Sequence, residues 1–276
     1  MSSWRDLIAA SGLPRAEAQL LAARAAGRER SWIMAHDTDS ALPAQARAAQ
    51  AWFERRRAGE PVAYILGERE FYSLMLAVQP AVLIPRPETE QLVELALERL
   101  PRGGGARLLD VGSGSGAIAI ALAHARPDVE VWASDISAAA LAVARENARR
   151  HNANIRFFES DGLNALADER FDLIVSNPPY IADADPHLLR GDLRFEPRIA
   201  LESGADGLSL IRRLAAGACA HLCEGGWLMF EHGFDQGPAC VTLLQSQGYV
   251  DVSDHADLSG QSRMSSGRTG DRVGGQ

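Results

Sequence analysis

A chain of 276 residues, 46% hydrophobic and 23% charged, carries enough apolar material for one large core or two smaller ones, which excludes wholesale disorder. Acidic residues exceed basic ones, 36 − 28 = 8, so the net charge is −8 and the basic surplus typical of phosphate binders is missing. All 28 basic residues are arginine, which excludes a lysine Schiff base, a catalytic lysine and a P-loop lysine.

The first ten residues include Trp4, Arg5 and Asp6 and lack the apolar centre of a signal peptide. Within them Trp4, Leu7 and Ile8 make one helical stripe. Pro14 opens an Ala/Leu-rich helix that closes at Gly27, and Pro43 opens another that carries Trp52 and Phe53 toward Arg55, Arg56, Arg57 and Gly59. The arginine triplet reads most simply as a solvated helix end, favourable against the helix dipole, with an RNA contact as the sharper alternative. Residues 1–63 are therefore expected to form a small helical domain. Between Tyr64 and Ile84, Phe71-Tyr72 and Leu74 to Val78 look extended, so a hairpin linker is expected over 64–85.

From residue 86 onward strands and helices alternate. A helix fits Glu88 to Leu100, a strand Arg107 to Val111, a helix Ala117 to Ala125, a strand Glu130 to Ala133, and a helix Ala138 to Arg150. Strands Ile155 to Phe158 and Phe171 to Ser176 follow, then a long loop to Gly207, a helix Leu208 to Leu222 and a strand Trp227 to Glu231. This alternation predicts an α/β domain over 86–276 with an open, mostly parallel sheet, whose ligands sit at the carboxyl ends of the strands. No run of ~18 apolar residues spans a membrane. Cys219, Cys223 and Cys240 are an odd set that fits a reducing cytoplasm better than a disulfide framework. Cys219-x-His221-x-Cys223 reads as small core residues on an Ala-rich helix, and no metal site is expected. The tail from Ser259 is Ser/Gly-rich and is expected to be mobile at its end.

Two constellations carry chemistry. Gly112-Ser113-Gly114-Ser115-Gly116 follows a strand and opens a helix, so backbone N–H groups face a ligand that the missing side chains let approach. The spacing matches neither a dinucleotide fingerprint nor a P-loop. Asp135, at the end of the next strand, can accept hydrogen bonds from both hydroxyls of a ribose, and Asp161-Gly162 ends the strand after it, where an adenine edge can be met. These features fit an adenosine and leave NAD and S-adenosylmethionine both open. The second constellation is Asn177-Pro178-Pro179-Tyr180, after the fourth strand of the sheet. Two prolines can simply end a strand, but they also stiffen the turn. The Asn177 side-chain oxygen and the Pro178 carbonyl can then accept both hydrogens of one planar –NH2 group while Tyr180 stacks on a flat substrate. That arrangement aims a nitrogen lone pair at a methyl sulfonium, which hydride transfer would not need, and it tips the cofactor to S-adenosylmethionine.

The chain resembles the class I methyltransferases of the N(5)-glutamine type that act on peptide chain release factors. The resemblance lies in Glu60 to Gly67, in Leu83-Ile-Pro-Arg-Pro-Glu-Thr-Glu90, in Leu109 to Ile118, in Ser176-Asn-Pro-Pro-Tyr-Ile181, in Phe195-Glu-Pro197 and in Gly204-Ala-Asp-Gly-Leu208. It implies a Rossmann-like sheet with an N-terminal substrate-recognition domain, and methylation of the glutamine in the Gly-Gly-Gln loop of class 1 release factors, with S-adenosylhomocysteine as product. By the same resemblance Gly112 to Gly116, Asp135 and Gly162 contact the cofactor, Asn177 to Tyr180 hold the glutamine, and Asn177 also borders the cofactor; Asp161 is expected there from its place after the strand. A ribosomal-protein glutamine is the nearest alternative substrate. A nucleic-acid exocyclic amine is more distant, and neither stable nucleic-acid binding nor a membrane partner is expected.

Some positions depart from the family. His232 stands where an aliphatic residue is usual, and a partly buried structural imidazole is favoured there over a catalytic base. Gln261-Ser262-Arg263-Met264 replaces a more usual run, and Gly162 stands where an aromatic can cover the adenine, which loosens the packing expected around a cofactor. The chain ends Gly274-Gly275-Gln276, the tripeptide of the proposed target; chance is the simplest reading, and weak occupancy of the chain's own glutamine pocket is the other.

Overall fold

The computed structural model describes residues 2–270. The terminal Gly274-Gly275-Gln276 lies outside the described residues. The chain divides into two compact units, one holding residues up to Glu68 together with Leu189–Phe195, the other Arg69–Leu188 and the chain from Glu196 on. Among the described residues no helix is long and apolar enough to cross a membrane.

The first unit is helical. Helix α1 (Trp4–Ala10) starts with a capping box in which Ser3 and Asp6 satisfy each other's backbone N–H. Helix α2 (Arg15–Ala26) runs between Pro14 and a left-handed Gly27. Helix α3 (Arg30–Ala35) and helix α4 (Pro43–Arg57) follow. Helix α5 (Val62–Leu66), bracketed by Pro61 and a left-handed Gly67, occupies the start of the expected linker. The Pro-to-Gly bracket that marks α2 marks this short helix too. Trp4, Leu7, Leu21, Ile33, Phe53 and Ile65 share its core.

Arg55 and Arg57 are exposed, as a solvated helix end requires, and Arg56 is not. Arg55 pairs with Glu60 at 2.5 Å, and Arg57 donates to the Ser11 carbonyl. Arg56, with only 18% of its side chain exposed, binds Glu17 at 2.7 Å and Asp192 at 2.8 Å. The Asp192 it holds sits in the segment Leu189–Phe195, far along the chain. Local sequence gives no hint of such a partner.

The second unit begins with a hairpin, strands β1 (Glu68–Phe71) and β2 (Leu74–Ala77). Tyr72 and Ser73 turn it with φ of 50° and 60°, the two left-handed residues of a tight hairpin turn, here without glycine. Two acids on the helix that follows hold the turn: Tyr72 N–H donates to Glu90 and its hydroxyl to Glu94. Next come helix α6 (Glu90–Arg99), strand β3 (Arg107–Val111), helix α7 (Ala117–Ala125), strand β4 (Glu130–Asp135), helix α8 (Ala138–Arg150), and strands β5 (Ile155–Glu159) and β6 (Phe171–Ser176). The remainder is helix α9 (Ser209–Gly217), strand β7 (Leu222–Glu231), helix α10 (Gly237–Ser246), and strands β8 (Tyr249–Ala256) and β9 (Ser262–Thr269).

These strands form one sheet in the order β5-β4-β3-β6-β7-β9-β8. The first five are parallel, β9 runs antiparallel to them, and β8, antiparallel to β9, runs in their direction again. Apolar clusters lie to both sides: Leu108, Val131 and Val175 pack with α6 and α7, and Leu109, Ile174 and Leu228 with α9 and α10. This is the expected class I methyltransferase architecture with its N-terminal helices.

One expectation at the C-terminal end is corrected. The helix expected from Leu208 to Leu222 stops at Gly217 and passes through one 3-10 turn, so Cys223 lies on β7 rather than on a helix with Cys219. The tail from Ser259 also includes a strand inside the sheet. In β9, Met264, Ser265 and Ser266 are buried between β7 and β8, and the serines that suggest a loose tail are small residues fitted to that packing.

Candidate active site

The chain order of the sheet reverses between β3 and β6: from β3 it runs outward to β4 and β5, then resumes on the other side at β6. A crevice at the carboxyl ends of the strands at such a point is the general ligand site of open α/β sheets. Here it is a cavity of about 410 Å³, the size of a small-molecule site. It brings together Gly112, Ser113, Gly114, Ser115, Asp135, Asp161, Gly162, Asn177 and Pro179. Gly116, Pro178 and Tyr180 do not line it.

The glycine turn after β3 is shaped for close approach. Gly112 and Gly114 have φ of 74° and 55°, and a side chain at either would project into open space. Gly116 serves differently: it is the left-handed cap of α7, and a Cβ there would come within 3.0 Å of Ile120 and 3.2 Å of Ala144. Asp135 ties the turn to the next strand. Its carboxylate accepts from the N–H of Gly114 at 2.9 Å and from that of Ser137 at 2.9 Å. Burial pushes this carboxyl up, against the lowering effect of those N–H donors.

At the same corner Asp110 Oδ1, Ser113 Oγ and Ser134 Oγ are buried without a hydrogen-bond partner among the described residues. Buried polar atoms are nearly always satisfied, and of the three only Ser113 lines the cavity, where a polar ligand could meet its hydroxyl. Asp110 itself takes one N–H, from Ala119, and burial pushes its carboxyl up to about 8. At Gly162 the space of a side chain is already met by Arg213 and Leu210 of α9, so the wall that an aromatic would form there is supplied from a helix instead. Arg213 is held by its ion pair with Asp161 at 2.9 Å.

The other half of the site is built from side chains. Asn177 Nδ2 donates to Thr89 Oγ1 at 3.0 Å, Thr89 Oγ1 donates to Glu231 Oε2 at 2.6 Å, and the Tyr180 hydroxyl donates to Glu231 Oε1 at 3.0 Å. Glu231 ends the apolar strand β7 and is buried, which pushes its carboxyl up; Tyr180 is pushed up as well, by burial and by that carboxylate. Tyr180 thus turns its hydroxyl inward to Glu231. Pro178 is buried, and its carbonyl takes no hydrogen bond among the described residues.

A second brace lies beside it. Glu196 accepts from the Ile84 N–H at 2.9 Å and from Arg86 at 2.5 Å, fixing the Pro85–Thr89 stretch to the loop after β6. Sequence reasoning gave no role to Thr89, Glu231, Arg86 or Glu196. The available signal for Glu231 was an acid closing the otherwise apolar run Trp227-Leu-Met-Phe. His232 is fully buried, with its ring nitrogens against the Gly233 carbonyl, Ser265 Oγ and Asp254, and outside the cavity lining.

Known proteins resemble this chain in sequence and in fold. Residues 88–190 match the model of the methyltransferase small domain, and residues 2–67 that of the PrmC N-terminal domain. The chain is 51% identical over 97% of its length to the release factor glutamine methyltransferase of Bordetella pertussis, covering 99% of that protein. It is 50% identical over 93% of its length to that of Xylella fastidiosa, covering 94% of it. Among solved structures, a methyltransferase from Pyrococcus furiosus shares the fold with a TM-score of 0.56 and 20% identity, over 81% of this chain and 98% of that one.

Proposed function

The chain belongs to the release factor glutamine methyltransferase family, and from that premise we propose that it methylates the side-chain amide nitrogen of the glutamine in the Gly-Gly-Gln motif of class 1 release factors. The observation that carries the reading is the Asn177 amide on the cavity wall, with its nitrogen committed to Thr89 and no hydrogen bond to its oxygen among the described residues.

S-adenosylmethionine, the cofactor we assign to the cavity, supplies an electrophilic methyl group on a sulfonium and leaves as S-adenosylhomocysteine. Gly112 to Ser115 would line its amino-acid end, Asp135 would accept the ribose hydroxyls with its remaining lone pairs, and Asp161 and Gly162 would border the adenine. Gly116 supports the turn by capping α7.

An amide nitrogen is a poor nucleophile because its lone pair is shared with the carbonyl. Asn177 Oδ1 and the Pro178 carbonyl, accepting one hydrogen each, hold the substrate amide in one plane and favour the positive charge that builds on nitrogen. Pro178 and Pro179 fix the backbone of this cradle, which therefore loses little freedom when substrate enters. No strong base is needed, because the proton becomes acidic once the methyl is on nitrogen and can pass to water. The helices of residues 1–63 take the protein substrate in this reading, residues 64–85 link them to the methyl-transferring domain of residues 86–276, and the partner's place in translation sets the reaction in the cytoplasm.

Mass spectrometry of an unmethylated release factor, incubated with the enzyme and S-adenosylmethionine, tests the reading. The expected result is one added methyl on the Gly-Gly-Gln peptide and none on its Gly-Gly-Ala form. No gain on either, with cofactor binding intact, moves the substrate to another amide or amine.

A further inference from the structure

The two ends of an asparagine amide have nearly the same shape, so only the hydrogen bonds around Asn177 decide which end faces the substrate. An amine-bearing substrate needs the oxygen there; the amide turned over would oppose donor to donor. Resting on the function proposed above, we propose that Glu231 is the positioning residue that enforces this orientation, acting through Thr89.

Each link has a single direction. A Glu231 carboxylate can only accept, and it accepts from Thr89 at 2.6 Å and Tyr180 at 3.0 Å. Thr89 has one hydroxyl proton, which it spends on Glu231, so toward Asn177 it can only accept. Asn177 must then present Nδ2 to Thr89, at 3.0 Å, and its oxygen to the opposite side. One proton added to Glu231 reverses the relay: the carboxylic acid donates to Thr89, Thr89 donates to Asn177 Oδ1, and Nδ2 turns toward the substrate.

The groups facing Glu231 are Glu88 and Thr89 from the turn before α6, Tyr180 from the loop after β6 and Arg263 from β9. Arg263 and the two hydroxyl donors favour the carboxylate, and Glu88 and burial oppose it. His232, next in the chain, is engaged with Gly233, Ser265 and Asp254. Methyl transfer should therefore fall as pH falls through the ionisation of Glu231, which lies above the usual carboxylate range.

Kinetics and NMR on the full-length enzyme test this together. Thr89→Val should lower kcat on the release factor by about 10–100-fold, the usual cost of removing a partner that orients a functional group, with KM for S-adenosylmethionine unchanged and Thr89→Ser restoring turnover. Glu231→Gln should lower kcat and abolish the acid limb of the pH profile. Without substrate, the side-chain 15N–1H signals of Asn177, identified by their loss in Asn177→Ala, should shift with pH in the wild type and stay fixed in Glu231→Gln. Wild-type kcat in folded Thr89→Val, or an acid limb and an Asn177 shift that persist in Glu231→Gln, would overturn the proposal. If Thr89→Val does not fold, the Glu231→Gln profile and the NMR titration decide it. A wild-type enzyme that methylates no glutamine substrate fails the functional reading, whereas the NMR titration still decides the orientation of the amide.

Discussion

Two buried acids lie at the carboxyl ends of two strands of the same sheet, and they are treated in opposite ways. Asp110, on β3 beside the glycine turn, receives one backbone N–H and leaves Oδ1 without a partner among the described residues. Glu231, on β7 beside Asn177, has both oxygens taken by hydroxyl donors. The half of the site around Asp110 is made of backbone: positive-φ glycines, helix-start N–H groups and a carboxylate only 21 residues from the turn it braces. The half around Glu231 is made of side chains that meet from positions 88 and 142 residues apart. A surface built from backbone is open to a ligand that brings its own polar groups; one built from a closed side-chain relay fixes the polarity of a single acceptor.

The largest expected effect comes from removing that acceptor. Asn177→Ala should lower kcat on the release factor by about 10²–10³-fold, the range seen when one preorganised polar group is deleted from an active site. Cofactor affinity, measured by calorimetry, should hardly change, because the backbone half is untouched. Equal losses in both would mean that the two halves are not separable.

The same contrast decides what sequence alone could reveal. The glycine turn, Asp135 and Asp161 are readable because each lies at the end of a strand in one β-α succession, and strand-turn-helix periodicity fixes where such positions must fall. Asn177 to Tyr180 are readable because two prolines mark the turn. Thr89 and Glu231 are not: their chemistry exists only after α6, the loop beyond β6 and β7 have come together, and nothing near either residue names its partner. Arg56 repeats the lesson in the helical unit, where its partner Asp192 lies 136 residues away. In β9 the misleading signal is composition, since Ser-Ser-Gly suggests loop although the strand needs small residues between two neighbours.

Asp110 gives the next effect, and it appears as a dependence on pH. Unfolded, an aspartate ionises near 3.9; folded, burial moves this one up to about 8. Between those values the folded chain keeps a proton that the unfolded chain has lost. The stability Asp110 contributes is therefore complete below about pH 4 and declines as pH rises toward 8, by at most ~1.4 kcal/mol per pH unit. Urea denaturation of Asp110→Asn across this window should show a flatter profile than the wild type. Glu231→Gln should flatten it less, because two hydroxyl donors already favour the carboxylate there. Equal flattening would erase the distinction between the two acids.

Asp135→Ala attacks the backbone half directly. Two N–H groups, of Gly114 and Ser137, lose their acceptor, and the proposed ribose contacts are lost with them. Hydrogen bonds from the ribose hydroxyls to a carboxylate contribute about 1.5–3 kcal/mol, so their loss should raise the dissociation constant for S-adenosylmethionine about 10–100-fold. Turnover at saturating cofactor should stay near wild type. A fall in kcat at saturation would place Asp135 in the chemistry and not only in binding.

Gly116→Ala offers the finest separation, because it alters the support of the glycine turn without entering the cavity. Gly116 has φ of 83°, a conformation that costs an alanine about 1–2 kcal/mol. The new methyl would also press on Ile120 Cδ1 at 3.0 Å, which can rotate, and on Ala144 at 3.2 Å, which cannot. Ala144 belongs to α8, so the strain should pass between α7 and α8 and lower the urea midpoint of the folded enzyme. The turn would shift by a few tenths of an ångström, enough to weaken cofactor binding slightly and too little to disturb the Asn177 relay on the far side of β3. The expected pattern is thus a loss of stability of about 1–2 kcal/mol, a small rise in the dissociation constant for the cofactor, and an unchanged pH profile of kcat. A changed acid limb in Gly116→Ala would mean that the glycine turn also sets the polarity of the acceptor half, and the two halves would then have to be treated as one.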